Sequence, residues 1–229
     1  MARIARIIAP GCPHHVTARG NRREPIFFED GDQELYLDIL AEHMARARVE
    51  VWSYCLMPNH VHLILTPQDE AAGMGRAMGA AHRRWAQFVN ARGRWRGHLF
   101  DDRYASVAMD EAHLLTAVRY VALNPVRARL VARAEDWPWS SVRAHLAGED
   151  DGVVRVAPVL ERVDCFADLI AGDADEAAFG ALRAAERIGR PLANKDFIDR
   201  LERVLGRTVA RRAPGRKKAV AEAEQPELF

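Results

Sequence analysis

The chain predicts an α+β fold. An antiparallel sheet is laid down in the order β-α-β-β-α-β, followed by one added helix that carries Tyr120 and by a mostly helical C-terminal extension. Three observations carry this reading. β-prone runs occupy residues 15–19, 49–56 and 60–66. Segments 31–48 and 73–92 space their apolar residues as helices do. Met57-Pro58-Asn59 is a tight turn, so the run after it pairs back on the run before it.

Taken in order, residues 15–19 form a first strand that ends at Gly20-Asn21. Residues 31–48 make a helix with a broad stripe of Leu35, Leu37, Ile39, Leu40 and Met44. Residues 49–56 and 60–66 are the second and third strands. Residues 73–92 form a second helix with Met74, Met78, Trp85 and Phe88 towards a core, and 99–109 a fourth strand. Asp110 can cap the start of a third helix, Glu111 sits in its first turn, and Pro125 disfavours the α conformation before it, so this helix is expected over 111–124. The order is that of a ferredoxin-like unit with an added helix, and it makes the third strand an interior one. Beyond Trp137 the expectations are a short helix at 140–146, a loop at 149–152, two short helices with a Gly-Asp break over 157–188, and an amphipathic helix in 191–206 capped by Gly206. This divides the chain into a domain at 1–146, a helical extension at 147–206 and a charged flexible tail at 207–229.

At 229 residues, 49% hydrophobic and 28% charged, the chain can bury a sizeable core. No apolar run reaches the roughly 18 residues of a membrane span, and the N-terminus is too short in its apolar part for a signal peptide. Arg3 and Arg6 alternate there with apolar residues, as in a strand or an anchored arm. Cys12, Cys55 and Cys165 are too far apart for a disulfide framework or a zinc motif, which fits a reducing cytosol. The net charge is only +1, but Arg76, Arg83, Arg84, Arg92, Arg94, Arg96 and Arg103 cluster against only Asp101 and Asp102. Arg119, Arg127, Arg129 and Arg133 follow, and Arg207, Arg211, Arg212, Arg216, Lys217 and Lys218 form another group. Such clusters are the footprint of phosphate-backbone binding or, alternatively, a solvated helix face.

The chemistry concentrates in two places. His60-Val61-His62 opens the third strand, and the period of two points both imidazoles to one face, roughly 6.5–7 Å apart along the strand. They make a half-site for one divalent cation, or simply two polar residues on a half-solvated face. Tyr120 and Asn124 lie four apart on the predicted third helix and so share its face. They present a hydroxyl and an amide together, or pack a ring and cap a helix end. Of the four tyrosines only Tyr120 has an asparagine one turn away and Arg119 beside it; Tyr104, next to Arg103, is the fallback.

Together these motifs resemble a known family. His60-Val61-His62 matches the HuH signature of single-strand DNA nickases, and Tyr120 with Asn124-Pro125 matches the tyrosine helix of the one-tyrosine transposases. Further matches are residues 15–22 (HVTARGNR), 54–60 (YCLMPNH), Gly97-His98-Leu99-Phe100 with Arg103-Tyr104, and 137–141 (WPWSS). The set is most similar to the transposase-like proteins associated with repetitive extragenic palindromes, over residues 1–146 and more loosely to 206. The resemblance implies a metal-dependent endonuclease and strand transferase acting on palindromic hairpin DNA with a single-stranded foot. Tyr120 would form a 5′-phosphotyrosine and release a 3′-OH. His60, His62 and the amide oxygen of Asn124 would hold Mg²⁺ or Mn²⁺.

Arg19, Asn21, Arg22 and Arg23 in the first loop, Arg83, Arg84 and Trp85 on the second helix, and Arg103, Arg119 and Arg127 are the expected DNA contacts, basic residues with an aromatic platform. The expected setting is the bacterial cytoplasm at the nucleoid, with the protein a monomer or homodimer. A competing reading is a non-catalytic, sequence-specific DNA-hairpin-binding regulator of the same fold. A third, an RNA-binding module, lacks the usual aromatic pattern. The chain ends Gln225-Pro226-Glu227-Leu228-Phe229, and Gln225, Leu228 and Phe229 are similar to the short peptides that dock on the bacterial sliding clamp.

Overall fold

The computed structural model describes residues 6–69, 71–172 and 175–210. The Leu228-Phe229 end, with its expected clamp contact, lies outside them, as do Arg211, Arg212, Arg216, Lys217 and Lys218.

Four antiparallel strands form one sheet: β1 (His14–Arg19), β2 (Val49–Met57), β3 (His60–Pro67) and β4 (Ala105–Ala108), in spatial order β2-β3-β1-β4. Helices α1 (Asp32–Arg46) and α2 (Ala71–Gly93) complete the β-α-β-β-α-β order. β3 is interior, as the pattern predicts, and the Pro58-Asn59 turn sets Met57 against His60 and Cys55 against His62. The fourth strand is shorter than the predicted 99–109. Asp101, Asp102 and Arg103 are exposed and bend away, and Phe100 makes only an isolated bridge to Gly20. Gly20 is obligatory there, because a Cβ would overlap the carbonyl oxygen of Glu24.

Alternation splits the sheet into two faces. Val16, Ala18, Val51, Tyr54, Leu56, Val61, Leu63 and Leu65 pack against α1 and α2, with Tyr36, Leu40, Met74, Met78 and Trp85. The opposite face is covered by helix α3 (Glu111–Arg127), through Leu114, Val118, Tyr120 and Val121 against Cys55, Ile64 and Val107. α3 begins as predicted, with the Asp110 side chain accepting from the His113 amide at 3.1 Å. It runs one turn further than predicted. Pro125 sits inside the helix, which closes with Ala128 N–H donating to Asn124 O. Pro125 removes one backbone donor but not the carbonyls that close this last turn.

The short helix expected at 140–146 is α4 (Val142–Ala147), and the extension holds α5 (Ala157–Leu160), α6 (Phe166–Ala171), α7 (Glu176–Ile188) and α8 (Lys195–Leu205). Segment 157–188 thus contains three helices, one more than its periodicity suggests. Asn194 caps α8 and Gly206 ends it with φ +60°. Phe166, Phe179 and Leu182 join the core under α3. Phe197 and Leu201 pack with Ile7 and Ala9, so the described part of the N-terminal arm, residues 6–9, is anchored without being a strand. Among the described residues no helix is long and apolar enough to cross a membrane.

Candidate active site

The sheet face under α3 gathers the histidines. Residues paired across antiparallel strands share a face, so Arg19 with His60, Thr17 with His62, and His15 with Ile64 all point towards α3. The rings of His60 and His62 lie with centroids 4.8 Å apart, nearly perpendicular. His60 Nδ1 is 2.6 Å from Asn59 Oδ1, and His62 Nδ1 is 3.1 Å from His15 Nε2. His15 and His62 have centroids 5.2 Å apart and planes within 8°. With a 3.1 Å contact between ring edges this is a coplanar, edge-to-edge pair and not a face-to-face stack.

Burial holds both ligand candidates neutral. Desolvation, reinforced by Arg19, brings His60 down to about 4. Desolvation, with His15, His60 and Arg19 adding to it, puts His62 well below its ordinary value. A neutral imidazole keeps one lone pair, which is what a metal requires. On the far side of His15, Nδ1 comes within 2.9 Å of Glu186 Oε1, a close contact not aligned as a hydrogen bond. His15, His62 and Glu186 each present a ligand-capable atom, all within 4.8 Å of one another. His15 Nδ1, Glu186 Oε1 and Asn124 Nδ2 are buried atoms without an aligned hydrogen-bond partner.

α3 brings Tyr120 to this cluster. Its ring stands edge-on to His62 at 5.4 Å and to His15 at 5.8 Å. Asn124, one turn on, is buried, and among the described residues no hydrogen bond joins it to either histidine. His62 instead meets His15, which in turn meets Glu186, and the His-x-His motif pointed to neither. His15 could have been found from the alternation of β1, but its register against β3 is set only on folding. Glu186 lies 124 residues from His62 and carries no local signal.

α7 roofs the tyrosine. Phe179 packs edge-on to the Tyr120 ring at 5.2 Å, and the Arg127 guanidinium lies 5.4 Å from that ring while pairing with Glu176 at 2.9 Å. Tyr120 is only 6% exposed. Burial, then the nearby Glu186 carboxylate, raise its pKa above the usual phenol value, while Arg127 and Arg183 pull it back. In this arrangement it is a protonated phenol.

The expected DNA contacts divide. Arg19, exposed at the end of β1, pairs with His60, Arg22 and Arg23 are exposed on the loop that follows, and Asn21 is half-buried with its N–H bonded to Leu99 O. Arg83 and Arg103 line a cleft of about 670 Å³ with Arg6, His98, Phe100 and Tyr104. Arg84 instead pairs with Glu42 at 2.5 Å. Arg119 donates to the Gly172 carbonyl, and Arg127 is engaged by Glu176, so both tie α3 to the extension. The base-stacking role expected of Trp85 is corrected. The residue is 0% exposed and its Nε1 donates to Ile26 O at 3.0 Å, because Met74, Met78, Ala81 and Trp85 form one inward stripe. Phe88, expected in the core, is instead 39% exposed beneath Arg92.

Comparison with known proteins places the chain in a family. A family model described as transposase IS200 like matches residues 9–124, which span the sheet, the histidine pair and Tyr120, and the chain belongs to that family. Among solved structures, the chain is similar to a REP-associated tyrosine transposase bound to a REP hairpin, at 18% identity. That match covers 68% of this chain and 92% of the other, with a TM-score of 0.56, and shows a shared fold. A transposase-assigned protein from Deinococcus radiodurans R1 is 20% identical over 59% of this chain and 98% of its own, with a TM-score of 0.37. No curated protein matches.

Proposed function

We propose that this transposase-family protein is a metal-dependent, single-stranded DNA endonuclease and strand transferase that acts on hairpin DNA, with Tyr120 as nucleophile. The observation that carries the reading is the convergence of Tyr120, 5.4 Å from His62, with a neutral histidine pair on one sheet face. A phenol is a weak nucleophile at neutral pH. His60, His62 and the amide oxygen of Asn124 would hold Mg²⁺ or Mn²⁺, which would supply Lewis-acid polarisation of the scissile phosphate. The Tyr120 oxygen attacks phosphorus and loses its proton, and the bond to the 3′ oxygen breaks. That oxygen takes up a proton, leaving a 3′-OH and a 5′-phosphotyrosine. Arg127, beside the ring, favours the phenolate as it forms. Rejoining is the reverse attack by a 3′-OH and needs no further energy source.

Arg19, Asn21, Arg22 and Arg23 beside His60, and Arg83 and Arg103 in the cleft, would follow the phosphates. The acting unit is the proposed domain at 1–146, in a cytoplasmic, nucleoid-associated setting. The clamp contact of Gln225, Leu228 and Phe229 remains a proposal, tested by titrating a 219–229 peptide into purified clamp.

One observation favours the second reading, a hairpin-binding regulator without cleavage: Tyr120 is covered by Phe179 and barely exposed. A labelled hairpin oligonucleotide with a single-stranded foot, incubated with Mn²⁺, separates the two. A covalent adduct that Tyr120→Phe and EDTA both abolish, with hairpin affinity kept, is the expected result. His60→Ala or His62→Ala should also abolish it, and Asn124→Ala should weaken it less, since water can replace one oxygen ligand. Tight binding without any adduct would establish the regulator, and an adduct lost in Tyr104→Phe instead would move the nucleophile.

A further inference from the structure

The His15–His62 contact contains information about protons. Two ring nitrogens 3.1 Å apart in a common plane form a hydrogen bond only if one donates and the other accepts. Which one donates is set at the far end of the chain of contacts. Glu186 places a carboxylate oxygen 2.9 Å from His15 Nδ1. A carboxylate cannot donate, and its charge favours a proton on the nitrogen beside it even where the N–H is not aimed squarely at the oxygen. His15 is 0% exposed and His62 3%, so water does not blur the choice.

Resting on the metal reading above, we propose that Glu186 and His15 are positioning residues for His62. The carboxylate keeps the His15 proton on Nδ1, so His15 Nε2 must accept from His62 Nδ1–H. The Nε2 lone pair of His62 is then left for the cation. Metal-ligating histidines characteristically have their other nitrogen fixed in this way by a carboxylate or carbonyl. Here the fixing runs through a second imidazole, and the carboxylate comes from α7, beyond the residues 9–124 that match the family. The C-terminal extension thereby contributes to the metal site without supplying a ligand to it. Neither group touches substrate. Each acts through the orientation and tautomer of His62.

The test reads protons directly in metal-free protein. Full-length protein with ¹⁵N-labelled histidine is stripped of metal, and its ring nitrogens are recorded by long-range ¹H–¹⁵N correlation, with His62 assigned from a His62→Gln spectrum. His62 should show a protonated Nδ1 and a bare Nε2. Glu186→Gln, whose amide can donate as well as accept, should give His62 a mixture of tautomers. His15→Leu, which leaves no acceptor, should drive His62 to the Nε2–H form, and His15→Gln, which restores an acceptor oxygen, should return it to Nδ1–H. Mn²⁺ affinity measured by electron paramagnetic resonance should follow: weaker by about 10- to 100-fold in His15→Leu and Glu186→Gln, and near wild type in His15→Gln. If His15→Leu fails to fold, the partly exposed Glu186→Gln still decides the matter. A wild-type His62 protonated on Nε2, or a tautomer and affinity unmoved by Glu186→Gln, overturns the proposal. Wild-type protein that binds no Mn²⁺ but shows the expected tautomer would remove the metal reading and leave the hydrogen-bond relay standing.

Discussion

A buried histidine is useful to this fold only while it is neutral, and His14 shows the cost most plainly. It points away from His15, is 0% exposed, and its Nε2 accepts from the Ala9 amide at 3.2 Å. Desolvation lowers it to about 4, against an ordinary value of 6.5. The unfolded chain therefore takes up a proton near pH 6.5 that the folded chain refuses until about pH 4. The stability this neutral histidine supports is complete above pH 6.5 and is lost progressively as pH falls towards 4, by about 3 kcal/mol in all. His14→Gln keeps an acceptor for Ala9 and removes the titration. Urea unfolding at pH 7 and pH 4.5 should show a smaller acid loss in the variant than in wild type. Parallel losses in the two proteins would mean that His14 is not held neutral. His60 and His62 are legible as a pair because a strand's period of two needs no tertiary knowledge. The same logic applied to β1 shows that His15 and Thr17 share a face, but not which strand they face.

At the scale of elements, α2 shows how local pattern can mislead. Arg83, Arg84 and Trp85 in sequence look like a basic patch with a stacking ring. A helix turns 100° between neighbours, so these three point in three directions. Trp85 continues the stripe of Met74, Met78 and Ala81 into the core, Arg84 reaches Glu42 on α1, and Arg83 faces the cleft shared with Arg6, Arg103 and Tyr104. Arg92, from the same cluster, binds the buried Asp32 through both nitrogens at 2.6 and 2.8 Å, which fixes α2 to the start of α1. The charge cluster was legible, but its division between packing and free surface depends on partners from α1 that no local count supplies. Arg83→Ala should therefore weaken hairpin binding and lower the slope of log affinity against log salt by up to about 0.9, one phosphate contact. Arg84→Ala should change both much less, since Glu42 already neutralises it. Titrations at several salt concentrations check this, and equal effects from the two substitutions would place the DNA elsewhere.

For the whole molecule, the decisive relation is between the sheet and the extension. The order β-α-β-β-α-β was readable because each element has its own period, and α3 because Asp110 and the Tyr120–Asn124 spacing are local. The extension's helices were only partly readable, since α5 and α6 are too short to show a period, and nothing in their residues says which face of the sheet they cover. Those packed with α3 cover the face that carries His15, His60 and His62, and α7 does two things there. Near its start Phe179 closes over Tyr120, and seven residues later, about 10 Å along the helix, Glu186 touches His15. Tyr120 is only 6% exposed with the Phe179 ring edge-on against it, so on the proposed function a phosphate gains access to the phenol if the Phe179 end gives way while the Glu186 end stays seated. Phe179→Ala separates the two. It removes the lid over the phenol and costs about 3–5 kcal/mol of packing in the extension, but leaves Glu186 in place. The expected outcome is covalent adduct formation several times faster than wild type, at unchanged Mn²⁺ affinity, when both are measured below the variant's unfolding temperature. A slower reaction with the fold and metal affinity intact would show instead that the ring holds Tyr120 in its working position.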